Sequence, residues 1–358
     1  MKKGLHFRKR ETVSPLRRVL NPIIFVLLAL VFTGIFLAIV GFNPFTVYAK
    51  MLSTIVSYSG FTRSIEAGIP LMLTGLAVCF GYLMNLNNIG ADGQYAMGAI
   101  FCVGFALYGP AMPAPLKIIG MFIAAMLGGA IAAFIAAFPK AKWGVSETIL
   151  TMMLNYVILY LLDFLMYGPW KERNQMVAQT RLVDERYWLP DLGGSGINSI
   201  LLIVIAIAVI MYFFHTRTAG GYEMEVIRHS PRAASYAGMS VGRSMLAVLC
   251  MSGAIAGLAG FAQVSGIIHR VQANLPNGAG YTGIVIAFLA GLNPLVVPLV
   301  GYLFGALQIS AVAVQLTGVP SQVATMIQGS IMLFVVAGEF FIRYEPVRGE
   351  KKPAKESE

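Results

Sequence analysis

The chain has 358 residues, of which 57% are hydrophobic and only 12% are charged. An average soluble domain carries about 25% charged residues, so this chain cannot cover a water-facing surface in the usual way. The composition excludes a soluble globular enzyme and a disordered chain, and it indicates an all-α polytopic membrane protein. The net charge of +10 is assigned to membrane topology and contact with anionic lipid, and we expect no nucleic-acid partner.

Ten apolar runs follow one another along the chain, and they predict about ten transmembrane helices. The first run follows a basic N-terminus and is longer than the ~7–15 apolar residues of a signal peptide, so we expect a retained helix. The eighth run is too short to span a membrane alone, which makes it a half-helix or the start of the ninth. The runs are Pro22–Phe42, Ile65–Met84, Ile89–Tyr108, Leu116–Phe138, Thr148–Tyr167, Ile197–Phe214, Met245–Ile268, Thr282–Leu292, Leu295–Leu316 and Val323–Ile342.

The distribution of basic residues predicts the orientation of these helices. Ten crossings place 18 of the 26 Lys and Arg residues on the side of the two termini, and that side is then the cytoplasm. We therefore expect a cytoplasmic basic N-terminus (1–21), a transmembrane domain (22–342) and a cytoplasmic charged tail (343–358). Within the domain, loop 168–196 is predicted to be external and loop 215–243 cytoplasmic.

Two polar stretches interrupt the apolar pattern. Polar, non-helical backbone at membrane depth survives only where it is buried in protein or lines a wet cavity. Paired breaks in two halves of a chain point to a transport pathway, here in a possible inverted repeat of predicted helices 2–5 and 7–10. The alternative is a polar turn at the membrane surface, with Asp92 as a helix cap. The second break is Gln272–Gly283. Most of the candidate pathway residues lie in the first break, and the full set is Asn85, Asn87, Asn88, Asp92, Gln94 and Asn155.

The cytoplasmic loop contains a short helix signal. Ser230 can cap free N–H groups, Pro231 fits a first helical turn, and Gly238 fits a helix end. A helix this short is marginal in water unless it packs on something. We interpret the segment as a docking element for a cytoplasmic partner, and the alternative is an ordinary connecting loop. The candidate coupling residues are Ser230, Pro231, Arg232, Ala233, Ala234, Tyr236 and Gly238.

Several expected absences narrow the function. The three cysteines and four histidines show no metal-binding spacing, so we expect no metal and no cofactor. The sequence contains no Gly-Lys dipeptide and hence no G-x-x-x-x-G-K-[ST] phosphate loop. We therefore expect a transport subunit that is not itself an enzyme, and if ATP drives transport, the ATPase is a separate chain.

Several motifs together resemble the permease subunits of bacterial ABC importers for nucleosides and simple sugars, the branch that works with basic-membrane-protein-type binding lipoproteins. The segments NIGADGQYAMGA (88–99), ETILTMMLNYV (147–157) and SPRAASYAGM (230–239) carry the resemblance, with SGAIAGLAG (252–260) and GYTGIVIAFLAGLNPL (280–295) in support. The resemblance implies a type II-like permease fold in the bacterial cytoplasmic membrane. It also implies three partners, namely an ATPase subunit with tandem domains, a second related permease and an external substrate-binding lipoprotein.

Two other functions stay open on the sequence alone. A simple-sugar permease for a ribose- or galactose-like solute belongs to the same class. An ion-coupled secondary transporter would need coupling carboxylates deep in the helices, and Asp92 is the one good candidate.

Overall fold

The computed structural model describes residues 5–9, 15–173, 175–316 and 318–348. In these ranges it contains thirteen α-helices and one pair of short β-strands. The chain divides into two compact units, one formed by residues 1–51 with 311–358 and the other by residues 52–310.

The smaller unit is built around the packing of the first helix, α1 (Pro15–Val40), on the last, α13 (Ser321–Arg343). Phe25 stacks on Phe341 with ring centroids 5.6 Å apart. Helix α2 (Pro44–Val56) joins through Tyr48, whose hydroxyl donates to the carbonyl of Leu30 at 2.6 Å. Aromatic packing and this hydrogen bond hold the three helices together.

The two ends of the chain depart from the sequence expectation. Strands β1 (Leu5–Lys9) and β2 (Tyr344–Arg348) pair antiparallel, in the segments predicted as a basic N-terminus and a charged tail. Helix α1 begins at Pro15, seven residues before the predicted run, since Pro is well suited to a first helical turn. Residues 349–358 of the predicted tail lie outside the described residues.

The larger unit contains helices α3 to α11 and most of α12. Helix α10 lies at its centre and packs against α3, α4 and α5. The helices are α3 (Tyr58–Tyr82), α4 (Ala91–Tyr108), α5 (Ala114–Trp143), α6 (Glu147–Tyr167), α7 (Ile200–Arg217), α8 (Ala219–His229), α9 (Pro231–Tyr236), α10 (Val241–Ala262, continued by a π-helical turn Gln263–Ile267), α11 (Ala279–Leu289) and α12 (Val297–Gln315).

All ten predicted apolar runs lie on helices, and the prediction of an all-α polytopic membrane protein is confirmed apart from the short strand pair. Among the described residues, six helices are long and apolar enough to cross a membrane, namely Tyr58–Tyr82, Ala114–Trp143, Glu147–Tyr167, Ile200–Arg217, Val241–Ile267 and Val297–Gln315. The exact number of crossings stays a prediction. Helices α2 and α8 were not predicted, because neither contains a long apolar run.

Glycines allow the central helices to approach each other closely. Gly253 and Gly257 of α10 face Gly129 of α5, and small residues at such positions let two helix backbones come close together. A Cβ atom added at Gly257 would overlap the carbonyl of Ala125 and lie 3.1 Å from the Cα atom of Gly129. The contact between these backbones therefore depends on the absence of side chains.

We predict that Gly257→Ala destabilises the protein by about 1–3 kcal/mol, the usual penalty for overpacking, because α5 and α10 must separate. The measurement is the thermal unfolding temperature of the detergent-purified chain. Gly329→Ala on α13 is the matched control, since a Cβ atom there meets nothing within 4 Å. Equal unfolding temperatures for the two variants would contradict the packing argument.

Candidate functional site

The first predicted break is the connection between α3 and α4. The chain turns at Asn85, which has a positive φ of 57° and is exposed. Asn88 is buried, and its amide group donates to Gln94 Oε1 and to Ser252 Oγ, each at 2.8 Å. Its oxygen accepts from the backbone N–H of Gly90 at 3.0 Å. Asn88 therefore ties the break to both α4 and α10.

A second amide, Asn155 on α6, holds the same break from the other side. Its oxygen accepts from the backbone N–H of Gly93 at 2.9 Å. Its nitrogen donates to the carbonyl of Ile89 at 2.8 Å and to the Tyr281 hydroxyl at 3.2 Å. One buried side chain thus joins α6 to the first turn of α4 and to α11.

The two breaks predicted from the sequence meet at Asp92. Its carboxylate accepts from the backbone N–H of Gly280, in the first turn of α11, at 2.5 Å. A negative charge at a helix N-terminus is stabilised by the helix dipole and by the free N–H groups there. Thr74 of α3 adds a hydrogen bond to the carbonyl of Ala279 at 3.0 Å. Asp92 therefore does act as a cap, although the helix it caps is not its own.

Four of the six candidate pathway residues lie in one polar network, which we define as Asn88, Asp92, Gln94, Asn155 and Ser252. All five side chains are buried and hydrogen-bonded inside the protein. Asn85 lies outside the network, and Asn87 is half-buried with its backbone N–H directed to Glu147 at 3.3 Å. Contact between any of the six candidate pathway residues and a transported solute stays a prediction.

Glu147 also connects the first break to the turn between α5 and α6. Its carboxylate lies 2.8 Å from Lys140 Nζ, near the end of α5. The same side chain therefore holds the loop at Asn87 and the end of α5.

A polar cavity of about 180 Å³ lies elsewhere in the larger unit. It is bounded by α3, α4, the π-helical turn, the segment before α11, and α12. None of the described residues that line it is Lys or Arg. Its polar side chains are Glu66, Tyr95, Gln263, Asn277 and Gln308.

The cavity residues were missed as a group by the sequence analysis. Gln263 and Gln308 stand out as polar residues in apolar runs, a signal that helix packing could equally explain. Glu66 did not stand out because it is the second residue of the predicted run, whereas α3 begins at Tyr58. Glu66 is thus more than two turns inside a candidate membrane span.

Two irregular helix segments face this cavity. Pro70 in α3 has no N–H to give to the carbonyl of Glu66, one turn before it. After α10 the chain makes a π-helical turn, in which the N–H of Ile268 donates to the carbonyl of Gln263 at 2.9 Å. Such turns recur at functional sites, and irregular backbone at membrane depth is tolerated beside a wet cavity.

The long loop 168–196 is joined by hydrogen bonds to the segment after the π-helical turn. The N–H of Thr180 donates to the carbonyl of Val271 at 2.9 Å, and the N–H of Ala273 donates to Ala178 at 3.0 Å. Trp188 stacks on His269 with 3.8 Å between ring centroids. Burial lowers the pKa of His269 below its usual value, which favours the neutral ring in this stack. The two segments therefore lie on the same side of the protein.

The predicted coupling segment forms helix α9. The hydroxyl of Ser230 accepts from the N–H of Ala233 at 3.3 Å, and Gly238 follows the helix with a φ of 82°, as predicted. Ala234, one of the candidate coupling residues, is 0% exposed and packs inside the chain, so its contact with a partner stays a prediction. The neighbouring Tyr236 is instead 94% exposed.

No group of three or more His, Cys, Asp or Glu in the described part of the chain is arranged to hold a metal ion.

Comparison with known proteins identifies the family. The family described as "Branched-chain amino acid transport system / permease component" matches residues 60–336. The glucose ABC transporter permease TsgB13 of Haloferax volcanii is 32% identical over 95% of this chain and 93% of its own. The guanosine ABC transporter permease NupP of Bacillus subtilis is 30% identical over 96% and 99%, and the nucleoside permease NupB of Lactococcus lactis is 30% identical over 89% and 91%.

Such permeases are multi-pass membrane subunits of ABC transporters, which work with an ATPase and a substrate-binding partner. They are not enzymes themselves, because ATP hydrolysis belongs to the separate ATPase subunit. On the extent of these matches, the chain belongs to the branched-chain amino acid transport system permease family and is a permease subunit of an ABC importer.

Proposed function

We propose that this permease moves nucleosides across the cytoplasmic membrane by alternating access. The observation that carries the proposal is the similarity, over at least 89% of the chain, to permeases named for guanosine and for nucleosides. The polar cavity supports it, because amide and hydroxyl groups suit a neutral solute and the described lining residues include no cation to pair with a phosphate.

A simple sugar is the second candidate, since the relative from Haloferax volcanii is named for glucose. The polar cavity would suit a sugar equally well. An ion-coupled mechanism is weaker, because the relatives that match over most of the chain are named as ABC transporter permeases, and the carboxylate of Asp92 is already engaged with the N-terminus of α11.

We further propose the composition of the assembly. An ATPase subunit with tandem domains would dock on the Ser230–Gly238 segment of this chain, and a second related permease would complete the pathway. A substrate-binding lipoprotein would deliver the solute at the external loop 168–196. ATP-driven closure of the ATPase domains would then move the coupling segments and switch access between the two sides.

The six candidate residues Asn85, Asn87, Asn88, Asp92, Gln94 and Asn155 remain our proposal for part of the translocation pathway. Four of them are buried and hydrogen-bonded, so contact with a solute requires some of those hydrogen bonds to open. The ion pair of Lys140 with Glu147 gives a physical route from the cytoplasmic end of α5 to Asn87.

The uptake prediction concerns the substrate. Proteoliposomes with the full complex should take up labelled uridine or adenosine in an ATP-dependent manner that survives an uncoupler. Ribose and glucose test the sugar alternative, and a phosphorylated sugar should not enter. Transport of the phosphorylated compound without the nucleosides would overturn the proposal, and loss of uptake with the uncoupler would favour an ion-coupled transporter.

The topology prediction places both termini in the cytoplasm and loop 168–196 outside. In a background lacking Cys79, Cys102 and Cys250, Met176→Cys should react with an impermeant thiol reagent in intact cells, because Met176 is fully exposed. Ser235→Cys, also at an exposed position, should react only after permeabilisation. The reverse pattern would refute the orientation.

The coupling prediction concerns Tyr236. Tyr236→Ala should weaken association with the ATPase by roughly 2 kcal/mol, or about thirtyfold, as truncation of an interfacial tyrosine often does. Binding of the purified ATPase is the measurement. Tyr160→Ala on α6 removes another exposed tyrosine and should leave binding unchanged. Wild-type affinity in Tyr236→Ala would remove the docking role from this face.

A further inference from the structure

We propose that the polar cavity is a subsite for the ribose of the transported nucleoside, with the Glu66 carboxylate accepting hydrogen bonds from the 2′ and 3′ hydroxyl groups. This inference rests on the nucleoside transport proposed above. It adds which part of the solute this chain contacts and which residue distinguishes a ribonucleoside from a deoxyribonucleoside.

The size of the cavity fits one sugar ring. Its volume of about 180 Å³ corresponds to roughly six water molecules at ~30 Å³ each. Pockets that enclose a whole drug-sized ligand usually exceed ~300 Å³. The cavity can therefore enclose the ribose of a nucleoside while the base remains at its opening.

The lining chemistry favours the sugar over the base. A ribose presents hydroxyl groups that both donate and accept, and the wall offers one carboxylate together with the amides of Gln263, Asn277 and Gln308. A flat base would instead favour stacking on an aromatic face. Tyr95 supplies the one aromatic ring among the described lining residues, and it is only 2% exposed.

A hydrogen bond from Tyr95 holds the amide of Gln263 in place at the cavity wall. The hydroxyl of Tyr95 donates to Gln263 Oε1 at 3.1 Å, which leaves the amide nitrogen of Gln263 as a donor toward the cavity. Gln263 itself begins the π-helical turn, and Pro70 of α3, which also lines the cavity, has no N–H to donate to the carbonyl of Glu66. The cavity thus combines an amide donor held in place with a carboxylate acceptor.

The position of Glu66 allows it to distinguish a ribonucleoside from a 2′-deoxyribonucleoside. An ionisable residue inside a membrane span is a candidate functional group by default. When ionised, a carboxylate only accepts hydrogen bonds, and its two oxygens can each take one from a vicinal pair of hydroxyls. A 2′-deoxyribonucleoside offers one hydroxyl fewer at this point and leaves one oxygen without a partner.

The experiment compares uptake of uridine and 2′-deoxyuridine by proteoliposomes that contain the complete complex with saturating binding lipoprotein. Glu66→Gln keeps the shape of the side chain but removes the charged acceptor. We expect uridine uptake to fall about tenfold, the usual effect of losing a hydrogen bond to a charged group. Uptake of 2′-deoxyuridine should change much less, so that the ratio between the two nucleosides approaches one.

Two matched controls accompany this variant. Glu172→Gln removes a half-buried carboxylate of the 168–196 loop, which does not line the cavity, and should change neither rate. Gln308→Leu alters the cavity wall, whereas Gln315→Leu makes the same change about two turns later on α12. Gln308→Leu should lower uridine uptake several-fold relative to Gln315→Leu. This second pair decides the question if Glu66→Gln fails to assemble.

The outcomes separate the subsite from the proposed function. A wild-type complex that transports no nucleoside overturns the nucleoside function and the ribose assignment with it. Nucleoside transport with an unchanged ratio in an assembled Glu66→Gln complex overturns only the subsite. Equal rates for Gln308→Leu and Gln315→Leu overturn it in the same way.

Discussion

The fold of the larger unit depends on hydrogen bonds to the backbone where two helices are interrupted. In an apolar surrounding every exposed N–H or C=O group needs a partner inside the protein. The three polar side chains Asn88, Asp92 and Asn155 each accept from a glycine N–H, at Gly90, Gly280 and Gly93 respectively. Because the groups they satisfy lie on α4 and α11, the same bonds fix the relative positions of these helices.

Two groups of polar residues in the unit can be distinguished by this constraint. One group forms hydrogen bonds inside the protein, and the other lines a cavity. The side chains of the polar network form hydrogen bonds with backbone groups or with one another, and none of them is free to contact a solute in this structure. The cavity residues, by contrast, surround an open volume, and their irregular helix backbone is tolerated because that volume is polar. Close glycine contacts between α5 and α10 supply the rigid packing beside both groups.

Much of the fold could be predicted from the sequence because hydropathy is a local signal. The ten apolar runs all lie on helices, and the two breaks were recognised as polar interruptions. The cap of α9 was also predicted, since Ser230 and Pro231 act within their own helical turn. Motif resemblance supplied the transporter class, which no local pattern could have given.

The errors have physical causes as well. The start of α3 was placed too late because polar residues after the Ser57 cap carry no apolar signal. Glu66 therefore stood at the edge of the predicted run and not more than two turns inside the helix. The burial of Ala234 was not predicted, because it depends on which neighbour the six-residue helix packs against, and spacing alone does not contain that information. The contact of Tyr95 with Gln263 joins residues far apart in sequence, so only the folded chain brings them together.

The separation of the polar network from the polar cavity determines which positions can be substituted without loss of the fold. Replacing Asn88 or Asn155 strands a buried backbone group and so threatens the fold, whereas replacing Gln308 alters only the wall of an open volume. Positions that tolerate substitution without loss of the fold are therefore those around the open volume. Under the subsite proposal, one scaffold can change its solute by single substitutions without loss of the fold.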